Sequence, residues 1–245
     1  MTADPRDVLT RPAPVPQRTL RYGPGPQHLS DVVMPPAGLE VRPLVVFVHG
    51  GFWAAEFDRT HVRSLAAALA ALGYPVACLE YRRIGQPGGG WPGTYEDVAA
   101  GAAAIPGLLD LPGPPILAGH SAGGHLALWA AARIPARGVL ALAPVTDLPR
   151  SYELGLGDGA VQALLGGAPT DVPDRYAAAA EPVEPPVPTV LVHGDQDRQV
   201  PVELSRAYAA RGDLRLVELP GVEHFGLIDP LASAWPAVLA ALARC

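Results

Sequence analysis

The sequence predicts an α/β domain, a mostly parallel sheet covered by helices on both faces. Three observations carry this. Short continuous apolar runs, such as Leu44–Val48 and Val76–Tyr81, read as strands buried on both sides. Stretches of helical length rich in Ala and Leu alternate with them. The 245 residues, 49% of them apolar, suffice for one large core.

Residues 1–17 are polar and rich in proline, with the alternation Pro-Ala-Pro-Val-Pro over 12–16. They read as a flexible, extended arm, and 18–245 as the folded domain. Thr19–Tyr22 and His28–Met34 read as two short antiparallel strands. Leu44–Val48 is the first buried strand. Val62–Leu72 is a helix, stopped by Gly73. Val76–Tyr81 is the next buried strand. Thr94 caps a helix reaching about Leu109, which Pro106 must end or bend. Ile116–Ala118 is a strand, followed by a helix from Ala122 to Arg133. Gly138–Ala143 and Thr189–His193 are further strands. Between those two, residues 147–188 hold scattered Gly and Pro with weak periodicity, and read as an inserted cap of a few short helices. Val202–Arg211 reads as a helix, Leu214–Glu218 as a strand, and Leu227–Arg244 as a final helix interrupted near Pro236. Sites in such sheets lie at the carboxyl ends of strands.

Charge and composition narrow the function classes. Lys plus Arg is 18 against 24 for Asp plus Glu, a net charge of -6, and no basic stripe suggests nucleic acid. No apolar run has bilayer length, so no membrane partner is expected. Met1–Asp7 lacks the apolar segment of a secretion signal. Cys78 lies in an apolar strand and Cys245 is the last residue, an unpromising pair for a disulfide. The expected location is the cytoplasm. Seven histidines are present, but without H-E-x-x-H or paired cysteines, so no metal is expected. Gly88-Gly-Gly is not followed by Gly-Lys-Ser/Thr and is no phosphate loop, and no cofactor is expected. Monomer and homodimer are both compatible with the chain.

The chemistry concentrates in a few segments. Gly119-His-Ser-Ala-Gly123 follows an apolar strand and opens a helix. That context puts Ser121 on a tight turn at the top of a sheet, where small glycines avoid collision. The helix N-terminus behind it favours developing negative charge. A serine needs a base, and His224, after a strand and a Pro-Gly turn, supplies one. The base needs an orienting acid. His193-Gly-Asp-Gln-Asp-Arg leaves a strand and offers Asp195 and Asp197, which spacing cannot separate. An oxyanion needs backbone donors. One belongs to Ala122, and the other to the His49-Gly50-Gly51-Phe52-Trp53 loop after Leu44–Val48. His120 and His125 read as packing or hydrogen-bonding neighbours. Trp53 and Trp91 read as aromatic walls of a substrate pocket, and Trp129 equally as core.

Taken together the chain resembles the α/β-hydrolase superfamily, and most nearly its arylformamidase (kynurenine formamidase) and small carboxylesterase branch. The matching segments are Tyr22-Gly-Pro, His49-Gly-Gly-Phe-Trp, Glu80-Tyr-Arg, Gly119-His-Ser-Ala-Gly-Gly-His-Leu-Ala, His193-Gly-Asp-Gln-Asp-Arg-Gln-Val-Pro and Glu223-His-Phe. They run in order from about residue 18 to the end. The resemblance implies a triad of Ser121, Asp197 and His224, with oxyanion donors at Gly51, Phe52 and Ala122. It implies Asp197 because the family's acid is the Asp of His-Gly-x-x-Asp-x-x-Val-Pro, and it makes His49 a brace for its loop. Related chains often carry Ser-Pro at the end of the cap, where this one reads Tyr176-Ala-Ala-Ala-Ala-Glu-Pro. The resulting expectation is a cofactor-independent serine hydrolase of a small ester or N-acyl amide. The alternatives are a prolyl-oligopeptidase-like peptidase, whose usual propeller this chain is too short to hold, and a non-catalytic binding protein on the same fold.

Overall fold

The structure is a computed structural model and describes residues 4–212 and 214–245. Eight strands form one sheet: Arg18–Arg21 (β1), Leu29–Val33 (β2), Val45–Val48 (β3), Val76–Leu79 (β4), Ile116–His120 (β5), Gly138–Leu142 (β6), Thr189–Gly194 (β7) and Arg215–Leu219 (β8). Their order is β1-β2-β4-β3-β5-β6-β7-β8. β1 and β2 pair antiparallel, as does β2 with β4, and all other pairs are parallel. The predicted fold class therefore holds.

Alternation along the strands sorts the core into two clusters. In β3, Val46 and Val48 join one and Val45 and Phe47 the other, as the two-residue period of a strand requires. The first cluster takes Val98 and Ile105 of Gly93–Leu108 (α2), Leu126 of Ala122–Ala131 (α3), and Leu204 and Tyr208 of Val202–Gly212 (α7). The second takes Leu65 and Leu69 of Arg63–Ala70 (α1), and Val238 and Leu242 of Trp235–Leu242 (α8). Each such buried side chain contributes about 1.5–3 kcal/mol. Three short helices fill the segment between β6 and β7: Leu148–Glu153 (α4), Leu156–Leu165 (α5) and Pro173–Ala179 (α6).

Two expectations need correction. The N-terminal segment is not a free arm throughout. Pro5–Leu9 forms a 3-10 turn capped by the Asp4 side chain. Val8, 1% exposed, sits in the second core cluster, and Arg11 pairs with Asp229. One buried valine and one ion pair outweigh the extended bias of the prolines. Residues 1–3 lie outside the described residues. The expected helix Leu227–Arg244 is also much shorter. His224–Leu227 is a 3-10 turn, and α8 starts only at Trp235, with Pro236 in its first turn. There the missing N–H of proline costs nothing, so Pro236 starts this helix and does not interrupt it. Pro106 likewise lies inside α2, in its last turn. Cys78 and Cys245 are free and buried. Among the described residues no helix is long and apolar enough to cross a membrane, and no cluster of side chains suits a metal ion.

Candidate active site

The loop after β5 carries Ser121 at φ 57° and ψ -123°, a region L-residues seldom occupy. Neighbouring glycines make the turn possible. A Cβ on Gly119 would lie 2.2 Å from the Gly123 carbonyl oxygen, and one on Gly123 would lie 2.1 Å from that of Val48. Ser121 is the N-cap of α3, yet its side chain makes no capping bond, which leaves the hydroxyl uncommitted to the helix. Its backbone N–H donates to Leu142 O at 2.8 Å, tying the turn to β6.

The loop after β7 separates the two aspartates. Asp195 Oδ1 accepts from the Gly221 amide at 2.7 Å and steadies the Pro-Gly turn. Asp197 Oδ1 accepts from the amides of Gln199 and Val200, both at 2.8 Å. Its Oδ2 takes the Nδ1 hydrogen of His224 at 2.6 Å. That bond fixes a tautomer whose other nitrogen, Nε2, is free to accept a proton. Burial alone would raise the Asp197 carboxyl's pKa. Hydrogen bonds from His193 and His224, and from the Val200 amide, outweigh it and hold the group ionised, below the ordinary carboxylate range. His193 is itself anchored, with Nδ1 2.7 Å from Ser205 Oγ and Nε2 2.9 Å from Val200 O.

His224 opens its 3-10 turn after β8, where the Glu223 side chain accepts from the Gly226 amide at 3.1 Å. His120, next to Ser121, brings the two loops together. Its Nε2 donates to His224 O at 3.0 Å, and the two rings lie 4.4 Å apart. Burial, then the neighbouring His224, push the His120 pKa well down, so this ring stays neutral. His120 thus holds the His224 loop by its backbone, in keeping with its reading as a hydrogen-bonding neighbour.

The loop after β3 packs directly over the serine. A Cβ on Gly50 would lie 3.1 Å from Ser121 Cβ. Gly51, Phe52 and Trp53 follow with φ of 107°, 47° and 58°, a curved backbone of the kind that forms anion-binding concavities. His49 braces this loop from beneath. Its Nδ1 is 2.8 Å from Gly50 O, its Nε2 is 3.1 Å from Glu80 Oε1, and Tyr81 Oη donates to its carbonyl at 2.9 Å. Glu80 is 1% exposed and also meets Arg59 at 3.2 Å and Arg83 at 3.3 Å. Burial would raise its pKa, but the His49 bond and these cations outweigh that and lower it.

The reading of Trp53 as a pocket wall is corrected. Trp53 is wholly buried in the first core cluster, edge-on to His125 at 6.0 Å. Trp91 packs against Tyr95 at 4.9 Å and Trp129 at 6.4 Å. The positive φ values at Phe52 and Trp53 turn the chain so that Trp53 enters the core. Phe52 instead lines a cavity of about 370 Å³ shared with Gly157–Ala160 of the inserted helices. Sequence reasoning also missed Glu181. It is 3% exposed, its Oε2 lies 3.5 Å from His125 Nδ1, and its Oε1 accepts from the Asp147 amide at 3.0 Å. It stands where related chains were expected to carry the serine of Ser-Pro, and a charged residue at that point was the available signal.

The loops after β5, β7 and β8 are therefore tied to one another below the loop after β3. The family model of the alpha/beta hydrolases matches residues 45–183, more than half of the chain. The chain belongs to the alpha/beta hydrolase family. Its relatives bear out the expected kinship with the esterase branch. The isoprenylcysteine alpha-carbonyl methylesterase ICME of Arabidopsis thaliana is 26% identical over 257 residues, covering 88% of this chain and 58% of that protein. This chain thus spans less than two thirds of that relative. The kynurenine formamidase of Drosophila melanogaster is 44% identical over 62 residues, 25% of this chain and 20% of its own length. Among solved structures, esterase B from Lactobacillus rhamnosis matches with a TM-score of 0.76 at 20% identity, over 98% of this chain and 88% of that one. That likeness speaks for the fold.

Proposed function

We propose that this chain is a serine hydrolase of small carboxylic esters, with Ser121 as nucleophile, His224 as base and Asp197 as its orienting acid. The hydrogen bond of 2.6 Å between His224 Nδ1 and Asp197 Oδ2 carries the reading, because it commits one ring nitrogen and leaves the other for a serine proton. In the first half-reaction, His224 Nε2 takes the Ser121 hydroxyl proton as Oγ bonds to the substrate carbonyl carbon. The oxyanion forms against the backbone amides of Gly51, Phe52 and Ala122. The bond to the leaving oxygen then breaks, and His224 returns the proton to that oxygen. In the second half, His224 takes a proton from water, and the hydroxide releases the acyl group from Ser121. Residues 147–188 act as the cap over this site. A formyl amide is a second reading, supported by the short stretch of similarity to kynurenine formamidase.

A fluorophosphonate probe tests the proposal. It should label the protein at Ser121 alone. Ser121→Ala should abolish labelling and lower kcat by several orders of magnitude, on the order of 10⁶. Undiminished turnover in that variant would exclude a serine nucleophile. N-formylkynurenine run beside phenyl acetate separates the two substrate readings.

A further inference from the structure

Beside His224 lies a cavity of about 370 Å³ that the triad does not explain. Three separate segments line it. The N-terminal turn gives Asp4 and Arg6, the loop around Asp197 gives Arg198 and Gln199, and the turn after β8 gives Glu223 and His224. The charges in it are not mutually satisfied. The Asp4 carboxylate is turned onto the Arg6 amide at 2.9 Å, and the Glu223 carboxylate onto the Gly226 amide at 3.1 Å. Both acids serve as backbone caps. Among the described residues, no carboxylate lies within 4.0 Å of either the Arg6 or the Arg198 guanidinium.

The wall that presents Arg6 is fixed in place. Val8, two residues on, is buried, and the Arg11–Asp229 pair closes the segment onto the turn following His224. Two planar guanidiniums facing one cavity suit a carboxylate-type anion, which each can bind through paired N–H donors. The cavity's one contact with the proposed triad is His224, which bears on the half of a substrate that would reach it. The histidine of a serine hydrolase hands its proton to the departing oxygen, so the leaving group sits against that ring.

We propose that this cavity is the leaving-group subsite, and that Arg6 and Arg198 select leaving groups bearing an anionic end such as a carboxylate. The proposal rests on the assignment of His224 given above. A matched pair of esters tests it: phenyl acetate and 4-acetoxybenzoate share the acetyl group and differ by one para carboxylate. The wild-type chain should favour 4-acetoxybenzoate in kcat/KM. In the double variant Arg6→Gln, Arg198→Gln that preference should fall about tenfold, with phenyl acetate changed less than twofold. Added salt should erode the preference in the wild type. An unchanged preference in the double variant overturns the proposal, and so does an equal loss on both esters. Binding of 4-hydroxybenzoate to the Ser121→Ala chain, followed by calorimetry, keeps the subsite separable from the catalytic reading. If the wild type cleaves neither ester, the hydrolase assignment fails. The leaving-group role then falls with it, while the anion site itself stands if 4-hydroxybenzoate still binds and the arginine substitutions abolish that binding, and falls if no binding is seen.

Discussion

Asp195 and Asp197 stand two residues apart in one loop, and hydrogen bonding gives them unlike duties. Asp195 holds the Gly221 amide and Asp197 holds His224. Replacing Asp197 by Asn should lower kcat by roughly 10³–10⁴ with the fold intact, because the amide no longer enforces the required tautomer. Asp195→Asn should cost far less, and steady-state kinetics on the two variants ranks them. The depressed carboxyl of Asp197 has a further consequence. As pH falls the unfolded chain, with an ordinary carboxylate pKa of about 3.9, takes up the proton before the folded one. The stability contributed by this ionised group is therefore complete above about pH 5 and is lost as pH falls below about 4 towards the folded-state value. Urea unfolding from pH 8 to pH 3 should show the gap between wild type and Asp197→Asn constant at first, then shrinking on the acid side. The choice between these aspartates was not legible from spacing, since both leave the same strand. Only the family motif separated them, whereas the strand, the glycines and the helix around Ser121 were written plainly in the residues themselves. Trp53 was misread for a different reason. An aromatic residue after a glycine pair carries no mark of which way a positive φ will turn it.

At the scale of elements, the loop after β3 depends on a buried charge cluster that spans strands. Glu80, just beyond β4, gathers His49, Arg59 and Arg83. Removing Glu80 leaves Arg83 without its carboxylate, while Arg59 keeps Asp31. Glu80→Gln should destabilise the fold by about 3–5 kcal/mol. It should also reduce kcat, because His49 supports the backbone of Gly50 and its successors. Thermal unfolding and kinetics on the same sample check both. Most strands were readable as short apolar runs, because burial on two faces leaves no polar positions within them. The final helix was overread for want of a period: apolar residues continue from Leu227 to Leu242, and only the turn geometry around Asp229 and Pro230 divides them.

Across the whole molecule, the proposed function makes the inserted helices the bound on what the site can admit. They are short, and Gly157 comes so close to Phe52 that a Cβ there would lie 2.6 Å from its ring. The cavity of about 370 Å³ on that side is narrowed by this approach, and under the proposed function it favours a compact acyl group. Across p-nitrophenyl esters from C2 to C12, kcat/KM should peak at C2–C4 and decline by C10, since only a methylene that is buried adds its roughly 0.8 kcal/mol. A maximum at C10 or C12 would contradict this account of the cap. The sheet itself has a broader effect. Its alternating side chains feed two apolar clusters, with α1 and α8 behind one face and α2, α3 and α7 behind the other. Sequence drift in the two halves is thereby insulated. Packing changes around Leu65 or Val238 should therefore add to those around Leu126 or Tyr208, so the side of the sheet behind α1 and α8 can be rebuilt while α3 keeps its seat.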